Sequence, residues 1–67
     1  MQRYIIGKSP IPEWCRNQLY QYKRMDGSTG FEWWYEADCM IRQAELVAGD
    51  ELVLMNGRVT FRRNHEN

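Results

Sequence analysis

In the last third of the chain the hydrophobic pattern is easiest to read. Glu51-Leu52-Val53-Leu54-Met55 is followed by Asn56-Gly57 and then by Arg58-Val59-Thr60-Phe61-Arg62-Arg63. Asn-Gly between two β-rich runs signals a two-residue hairpin turn, because both turn positions need positive φ. That turn pairs Met55 with Arg58, Leu54 with Val59, Val53 with Thr60, Leu52 with Phe61 and Glu51 with Arg62. Side chains alternate along a strand. Leu52, Leu54, Val59 and Phe61 therefore share one face, and Val53, Met55, Arg58, Thr60 and Arg62 share the other. One face is wholly apolar, so the register agrees with the period-2 rule.

A second hairpin centres on Asp26-Gly27, flanked by Tyr20-Gln21-Tyr22-Lys23-Arg24 and Phe31-Glu32-Trp33-Trp34-Tyr35. A two-residue turn pairs Tyr22 with Phe31 and Tyr20 with Trp33, which gathers the large rings on one face. Gly30 leaves room for a longer loop or a bulge. Under the two-residue turn Trp34 points away from Tyr20, Tyr22, Phe31 and Trp33, and it is the indole in need of cover.

Upstream, Pro12 suits a first helical position and Glu13 a first turn. Ile11, Cys15 and Leu19 recur at i, i+4 and i+8, so one short helix of about two turns is predicted here. Tyr4-Ile5-Ile6 reads as a brief strand. The stretch 37–48 has two readings. Ala37, Met40, Ile41, Ala44 and Ala48 fit a helix that Gly49 could cap. The favoured reading is a loop and then a strand over 43–47, since two isolated hairpins would leave unpaired edges. The predicted fold is mainly β: a small SH3-like, partly open barrel of about five short strands with one short N-terminal helix. The alternative is α+β with a second helix at 37–48.

Composition narrows the function classes. With 67 residues the chain is one small domain, predicted over 1–63 with a frayed polar tail at 64–67. Nine basic and nine acidic side chains leave zero net charge, which argues against a non-specific nucleic-acid binder. The N-terminus lacks the apolar stretch of a signal peptide and no apolar run reaches a membrane-spanning length, so a cytoplasmic protein is expected, with no membrane partner. Cys15 and Cys39 are then expected as free thiols, Cys15 as a packed core residue. Two separated cysteines and one tail histidine, His65, do not make a zinc site. Glu32, Glu36, Asp38 and Asp50 form no recognisable acid pair, and no nucleophile has a positioned base. The expectation is a protein that is not an enzyme, with no catalytic residue, metal or cofactor.

Three features could bind something. Asp26-Gly27-Ser28-Thr29-Gly30, beside Lys23 and Arg24, could cradle an anion on backbone N–H groups and hydroxyls, although a plain hairpin tip explains the same residues. Without a Gly-Lys-[Ser/Thr] ending it is not a P-loop. Trp33-Trp34 puts one indole on each strand face, so one of them calls for a helix, a subunit or a ligand as cover. Arg58, Arg62 and Arg63 make a basic edge suited to phosphate or carboxylate, or simply a solvated strand face. The candidate ligand-binding residues are Arg24, Ser28, Thr29, Trp34, Arg58 and Arg62.

Pro10-Ile11-Pro12-Glu13-Trp14-Cys15, Tyr22-Lys23-Arg24-Met25-Asp26-Gly27-Ser28-Thr29-Gly30-Phe31-Glu32 and Gly49-Asp50-Glu51-Leu52-Val53-Leu54-Met55-Asn56-Gly57-Arg58-Val59 resemble a group of small uncharacterised proteins of phages and prophages of Gram-positive bacteria. The resemblance covers most of residues 9–61; Glu36–Gln43 has no clear counterpart. It implies an accessory protein in a host bacterial cytosol, of the kind that counters host defence by occluding a host protein or sequestering a signalling nucleotide. The expected function is sequestration of a nucleotide-type or other anionic ligand by a homo-oligomer. A protein–protein inhibitor or adaptor is the second reading, and a small nucleic-acid-binding barrel the third.

Overall fold

The computed structural model describes residues 1–64. Its backbone runs through β1 (Gln2–Ile5), a single 3₁₀ turn (Glu13–Cys15), β2 (Gln18–Lys23), β3 (Thr29–Trp34), α1 (Ala37–Gln43), β4 (Glu51–Met55) and β5 (Arg58–Arg62). The strands form one five-stranded sheet in the order β1-β4-β5-β2-β3. The fold is mainly β with one short helix, as expected, and the sheet does not close: β1 and β3 are its edges.

The β4–β5 hairpin has the predicted register in full, from Met55 opposite Arg58 to Glu51 opposite Arg62. Asn56 and Gly57 take φ of 56° and 77°, as a tight primed turn requires. β1 adds antiparallel to β4, with Tyr4 opposite Leu52. β5 then meets β2 in parallel, with Tyr20 beside Val59. This parallel join unites the two hairpins in one sheet.

The β2–β3 register is one residue away from the predicted one. Tyr22 lies opposite Gly30, Tyr20 opposite Glu32, Leu19 opposite Trp33 and Gln18 opposite Trp34. The turn holds three residues, not two. The Arg24 N–H donates to the Ser28 carbonyl (2.7 Å) and the Gly27 N–H to the Arg24 carbonyl (2.9 Å). Gly27 sits at φ +89°, whereas Asp26 is not among the residues of positive φ. Asp-Gly therefore ends a three-residue loop with a glycine bulge. A slip of one residue exchanges the two faces of a strand, and here it carries Phe31 and Trp33 out and Glu32 and Trp34 in.

Two further expectations, one of a helix and one of a strand, are corrected. The two-turn N-terminal helix is only the 3₁₀ turn: Asn17 takes φ 55°, and Gln18 onwards joins β2. The favoured strand at 43–47 does not form. Ala37 and Met40 are buried, and Ile41 and Ala44 half-buried against the core, so the helical stripe prevails over 37–43. The case for a strand rests on unpaired hairpin edges, and the β5–β2 join removes that need. Leu46, past the helix, is buried in the core.

The core lies on one face of the sheet. Tyr4, Tyr20, Leu52 and Val59 come from four strands, Cys15 from the 3₁₀ turn, and Ala37, Met40 and Leu46 from the α1 region. Both buried tyrosines satisfy their hydroxyls, Tyr4 on the Ser9 carbonyl (2.8 Å) and Tyr20 on the Cys15 carbonyl (2.6 Å). Cys15 and Cys39 are free thiols. Burial pushes the Cys15 thiol up to about 12. Asp50 is fully buried. It accepts from the Val47 N–H (3.0 Å) and the Asn64 N–H (2.9 Å), tying the loop before β4 to the end of β5. Asn64, expected to fray, is thus anchored; the rest of the expected tail, with His65, lies outside the described residues.

Candidate functional site

The six candidate residues do not converge on one place. Arg24, Ser28 and Thr29 belong to the β2–β3 tip, Trp34 lies on the core face of β3, and Arg58 and Arg62 lie on the outer face of β5.

At the tip the polar groups are engaged with one another. Arg24 Nη1 donates to Ser28 Oγ (3.2 Å) and to the Thr29 carbonyl (2.9 Å), and its guanidinium lies over the Tyr22 ring at 5.6 Å. Asp26 Oδ1 accepts from the Ser28 N–H (2.9 Å) and hydroxyl (2.7 Å). Those bonds hold the Asp26 carboxyl below its ordinary range. An anion entering this turn would displace the chain's own carboxylate, so the geometry favours a self-capped hairpin tip over an anion cradle.

Trp34 is half-buried and packs against the core. It lines a cleft of about 380 Å³ beside α1, with Tyr20, Tyr22, Met40 and Phe61. The cleft exists because a helix of seven residues covers only part of the sheet. Its border carries Glu32 and Glu45 as well as Lys23 and Arg63. Arg63 is committed to the end of α1, donating to the carbonyls of Ala44 (2.9 Å) and Glu45 (3.4 Å). An anion in this cleft would meet as much negative charge as positive.

The opposite face of the sheet carries exposed large apolar side chains, Phe31, Trp33 and Met55. The expected role of Trp34 as the exposed indole passes to Trp33, 48% exposed, and beside it Phe31 is 54% exposed. Reading across the strands gives three rows. Met55, Arg58, Leu19 and Trp33 form one, and Arg3, Val53, Thr60, Gln21 and Phe31 the next. The third runs Ile5, Glu51, Arg62, Lys23, Thr29. Val53, in the middle row, is 2% exposed.

Several of these side chains are held in place. Trp33 Nε1 donates to Asn17 Oδ1 (2.8 Å), and its ring lies 6.3 Å from that of Tyr35. Arg58 Nε donates to Gln21 Oε1, which lays the guanidinium across the β5–β2 join. Arg3 donates to Glu51, and this bond is the main cause that lowers the Glu51 carboxyl. Glu51 still lies opposite Arg62, but its direct partner is Arg3. By register, Arg3, Arg58, Arg62 and Lys23 face Glu51 alone among the acids. Since the chain is neutral, the remainder must be acidic by the same excess.

Sequence reasoning missed Phe31, Trp33, Leu19, Gln21 and Asn17. Once the turn is taken as three residues, alternation alone sends Phe31 and Trp33 outward; the signal present was Gly30. A side chain there would put its Cβ 2.6 Å from Tyr22 Cζ. Gly30 is thus the residue that must lie under the Tyr22 ring. Asn17 carries only a weak signal, its tolerance of positive φ.

Among the described residues no group of three or more His, Cys, Asp and Glu forms a metal-binding cluster. No helix among them is long and apolar enough to cross a membrane. No protein-family model, no curated protein and no solved structure matches the chain.

Proposed function

We propose that this is a binding protein without chemistry of its own, and that it meets its ligand on the open face of the sheet. The ligand class is a flat ring bearing negative charge, as in a nucleotide. One observation carries the reading: exposed rings at Phe31 and Trp33, the latter anchored by Asn17, share a surface with Arg58, Arg62 and Arg3. A ring stacks on an indole at little conformational cost, and an arginine fork suits phosphate. Trp33 on β3 and Arg58 on β5 are two strand spacings apart, about 10 Å. A nucleotide bridges that distance when its base covers Trp33 and its phosphate turns toward the guanidinium. The site needs no catalytic group, which fits sequestration. The resemblance to small phage proteins supports an accessory, counter-defence setting for such binding.

The test is a titration of the protein with mono-, cyclic and ADP-ribose-type nucleotides, followed by tryptophan quenching and calorimetry. Binding is expected to weaken about tenfold or more in Trp33→Ala and in Arg58→Gln, in line with one lost stack or one lost charged contact. Arg24→Gln and Ser28→Ala are expected to bind as the parent does. Loss of binding in the tip variants alone would move the site to the turn, and no response to any nucleotide or oligonucleotide would sink the reading.

A protein–protein role is the second reading. Exposed Trp33, Tyr35 and Met55, with arginines beside them, have the composition of interface hot spots.

A further inference from the structure

We infer that the open face of the sheet is a platform for single-stranded nucleic acid, with two successive bases stacked on Phe31 and Trp33. This rests on the proposed function and narrows it from a nucleotide to a strand.

Spacing is the first argument. Phe31 and Trp33 are two apart on β3 and project to the same face, so their Cα atoms are about 6.8 Å apart along the strand. Bases stacked in a helix are about 3.4 Å apart, which does not match. An extended single strand with its bases splayed does, and such bases are the ones that stack on protein rings. The indole N–H of Trp33 is anchored to Asn17 (2.8 Å), which fixes the orientation of this half-exposed ring beside Tyr35.

Charge is the second argument. Arg58 and Arg62 project from the same face of β5, four residues apart with Thr60 between them on that face, so the cations run along β5 in the direction in which the rings run along β3. Lys23 and Arg3 extend the cationic surface to either side, against Glu51 alone. Phosphates spaced along a strand therefore meet cations spaced along β5 while the bases lie over β3. Leu19 and Gln21 form the floor between. A second copy of this chain, laid face to face, would set this cationic surface against its own like, which costs energy. An acidic polymer with ring faces is complementary to it instead. Zero net charge does not oppose this, because the compensating acids lie elsewhere in the chain.

The contacts are stacking and phosphate contacts, which tolerate sequence and sugar. DNA and RNA homopolymers of equal length are thus expected to bind alike.

The experiment compares thymidine monophosphate, an eight-nucleotide oligo-dT, oligo-U of the same length and a DNA duplex, by anisotropy and tryptophan quenching on the full chain. The oligonucleotides are expected to bind at least tenfold more tightly than the mononucleotide and the duplex. Phe31→Ala and Trp33→Ala are each expected to weaken the oligonucleotides about ten- to hundredfold, the worth of one stacked base, while Trp33→Phe recovers most of the loss. The slope of log affinity against log salt is expected near about −2, roughly −0.7 per phosphate contact, and shallower in Arg58→Gln. Far-ultraviolet circular dichroism confirms that each variant is folded. Equal affinity for mononucleotide and oligonucleotide would overturn the strand platform and leave the proposed function standing. Equal duplex binding, or affinity independent of salt, would also overturn it. A dimer by light scattering with Trp33 shielded from quencher and no oligonucleotide binding would assign the face to a second copy. No binding of any nucleotide would remove both.

Discussion

The two hairpins of this chain are built from nearly the same local signals and close with different turns. Both have a turn ending in Gly, Asn56-Gly57 in one and Asp26-Gly27 in the other, and both have apolar residues at alternate positions. In the β4–β5 hairpin both turn residues have positive φ, and the apolar set faces the core. In the β2–β3 hairpin Asp26 stays out of the positive-φ region and instead binds Ser28 through its side chain. That choice lengthens the loop by one residue. The aromatic set of β3 then faces solvent, and Gly30 and Glu32 take the positions opposite Tyr22 and Tyr20. The lesson is that Asp-Gly and Asn-Gly are not equivalent turn signals when a hydroxyl lies two residues beyond the Asp. An Asp side chain that can close on its own backbone competes with the two-residue turn. Leu52 and Val59 of the β4–β5 hairpin face the core, whereas β3 turns Phe31 and Trp33 to the surface proposed to bind, which Arg58 and Arg62 of β5 share.

The largest effect that tests this contrast comes from truncating one apolar residue in each hairpin. Leu52 is fully buried, and Leu52→Ala is expected to cost about 2–5 kcal/mol. A chain of this length has roughly 3–10 kcal/mol in all, so the variant is expected to be largely unfolded in a urea titration. Phe31→Ala, half-exposed on the open face, is expected to stay within about 1 kcal/mol of the parent. A Phe31→Ala variant as damaged as Leu52→Ala would mean that Phe31 is inside, and that the β2–β3 register is the two-residue one.

The same contrast shows what is legible in the sequence. The β4–β5 hairpin can be read in full because its turn type and its apolar face agree, and each alone specifies the register. The β2–β3 register cannot, since both candidate turns contain Asp-Gly, and rings on one face look like a core whichever way they point. The α1 stripe, Ala37-Met40-Ile41-Ala44, is visible, but a tertiary consideration, the need to pair hairpin edges, weighs against it. The parallel β5–β2 join that meets this need has no local signature. For the candidate site, strand alternation alone finds Arg58 and Arg62, whereas Trp34 displaces Trp33 solely through the one-residue error. Asp50 stands in the sequence as one acid among several; its bond from the Asn64 N–H, 14 residues on, has no local signature.

A second test addresses the glycines of the two turns. Gly57 and Gly27 both have positive φ, so an Ala at either is expected to cost about 1 kcal/mol or more. Neither has atoms within 4 Å of a would-be Cβ, so the cost is backbone strain alone and should be similar at the two sites. The variants should differ in whether the strands keep their pairing. The β4–β5 register is pinned by buried residues on both of its strands, and Gly57→Ala should keep it. In Gly27→Ala the bulge is lost, and acrylamide quenching of Trp33 against Trp34, read in Trp14→Phe chains that also carry Trp34→Phe or Trp33→Phe, reports any exchange of faces. In the parent, the Trp33 emission is expected to be the more accessible. A Trp34 emission more accessible than that of Trp33 would refute the observed register outright.

A third test separates core from tip by pH. The Cys15 thiol is pushed up to about 12 by burial, and the buried Tyr20 hydroxyl is raised as well. A raised folded value favours the folded state most below the unfolded value, near about 8.5 for a thiol. That stability is lost as pH rises from there through the folded value. Alkaline unfolding is therefore expected to begin above about pH 9, and Cys15→Ala is expected to flatten it. A parent whose stability is level from about pH 8 to pH 11 would show that Cys15 is not sealed in the core.

The smallest effect lies at the acid end and in the tip alone. Asp26 is held below its ordinary range by the Ser28 N–H and hydroxyl. A depressed folded value contributes stability above the unfolded value, near about 3.9. That contribution disappears as pH falls through the folded value, because the protonated carboxyl no longer accepts two hydrogen bonds as strongly. Asp26 is solvent-exposed, so the change in global stability is small and the useful readout is local. Amide exchange at Ser28 is expected to be slowed at about pH 6 relative to Asp26→Ala and to lose that protection by about pH 2–3. Because this side-chain bond is what selects the three-residue loop, its loss should also raise the accessibility of Trp34 relative to Trp33. Nothing comparable is expected at Asn56-Gly57, whose turn rests on backbone angles and has no carboxyl to titrate. If Ser28 protection is independent of pH across that window, the bond does not select the loop, and Gly30 under the Tyr22 ring is left as the feature that sets the register.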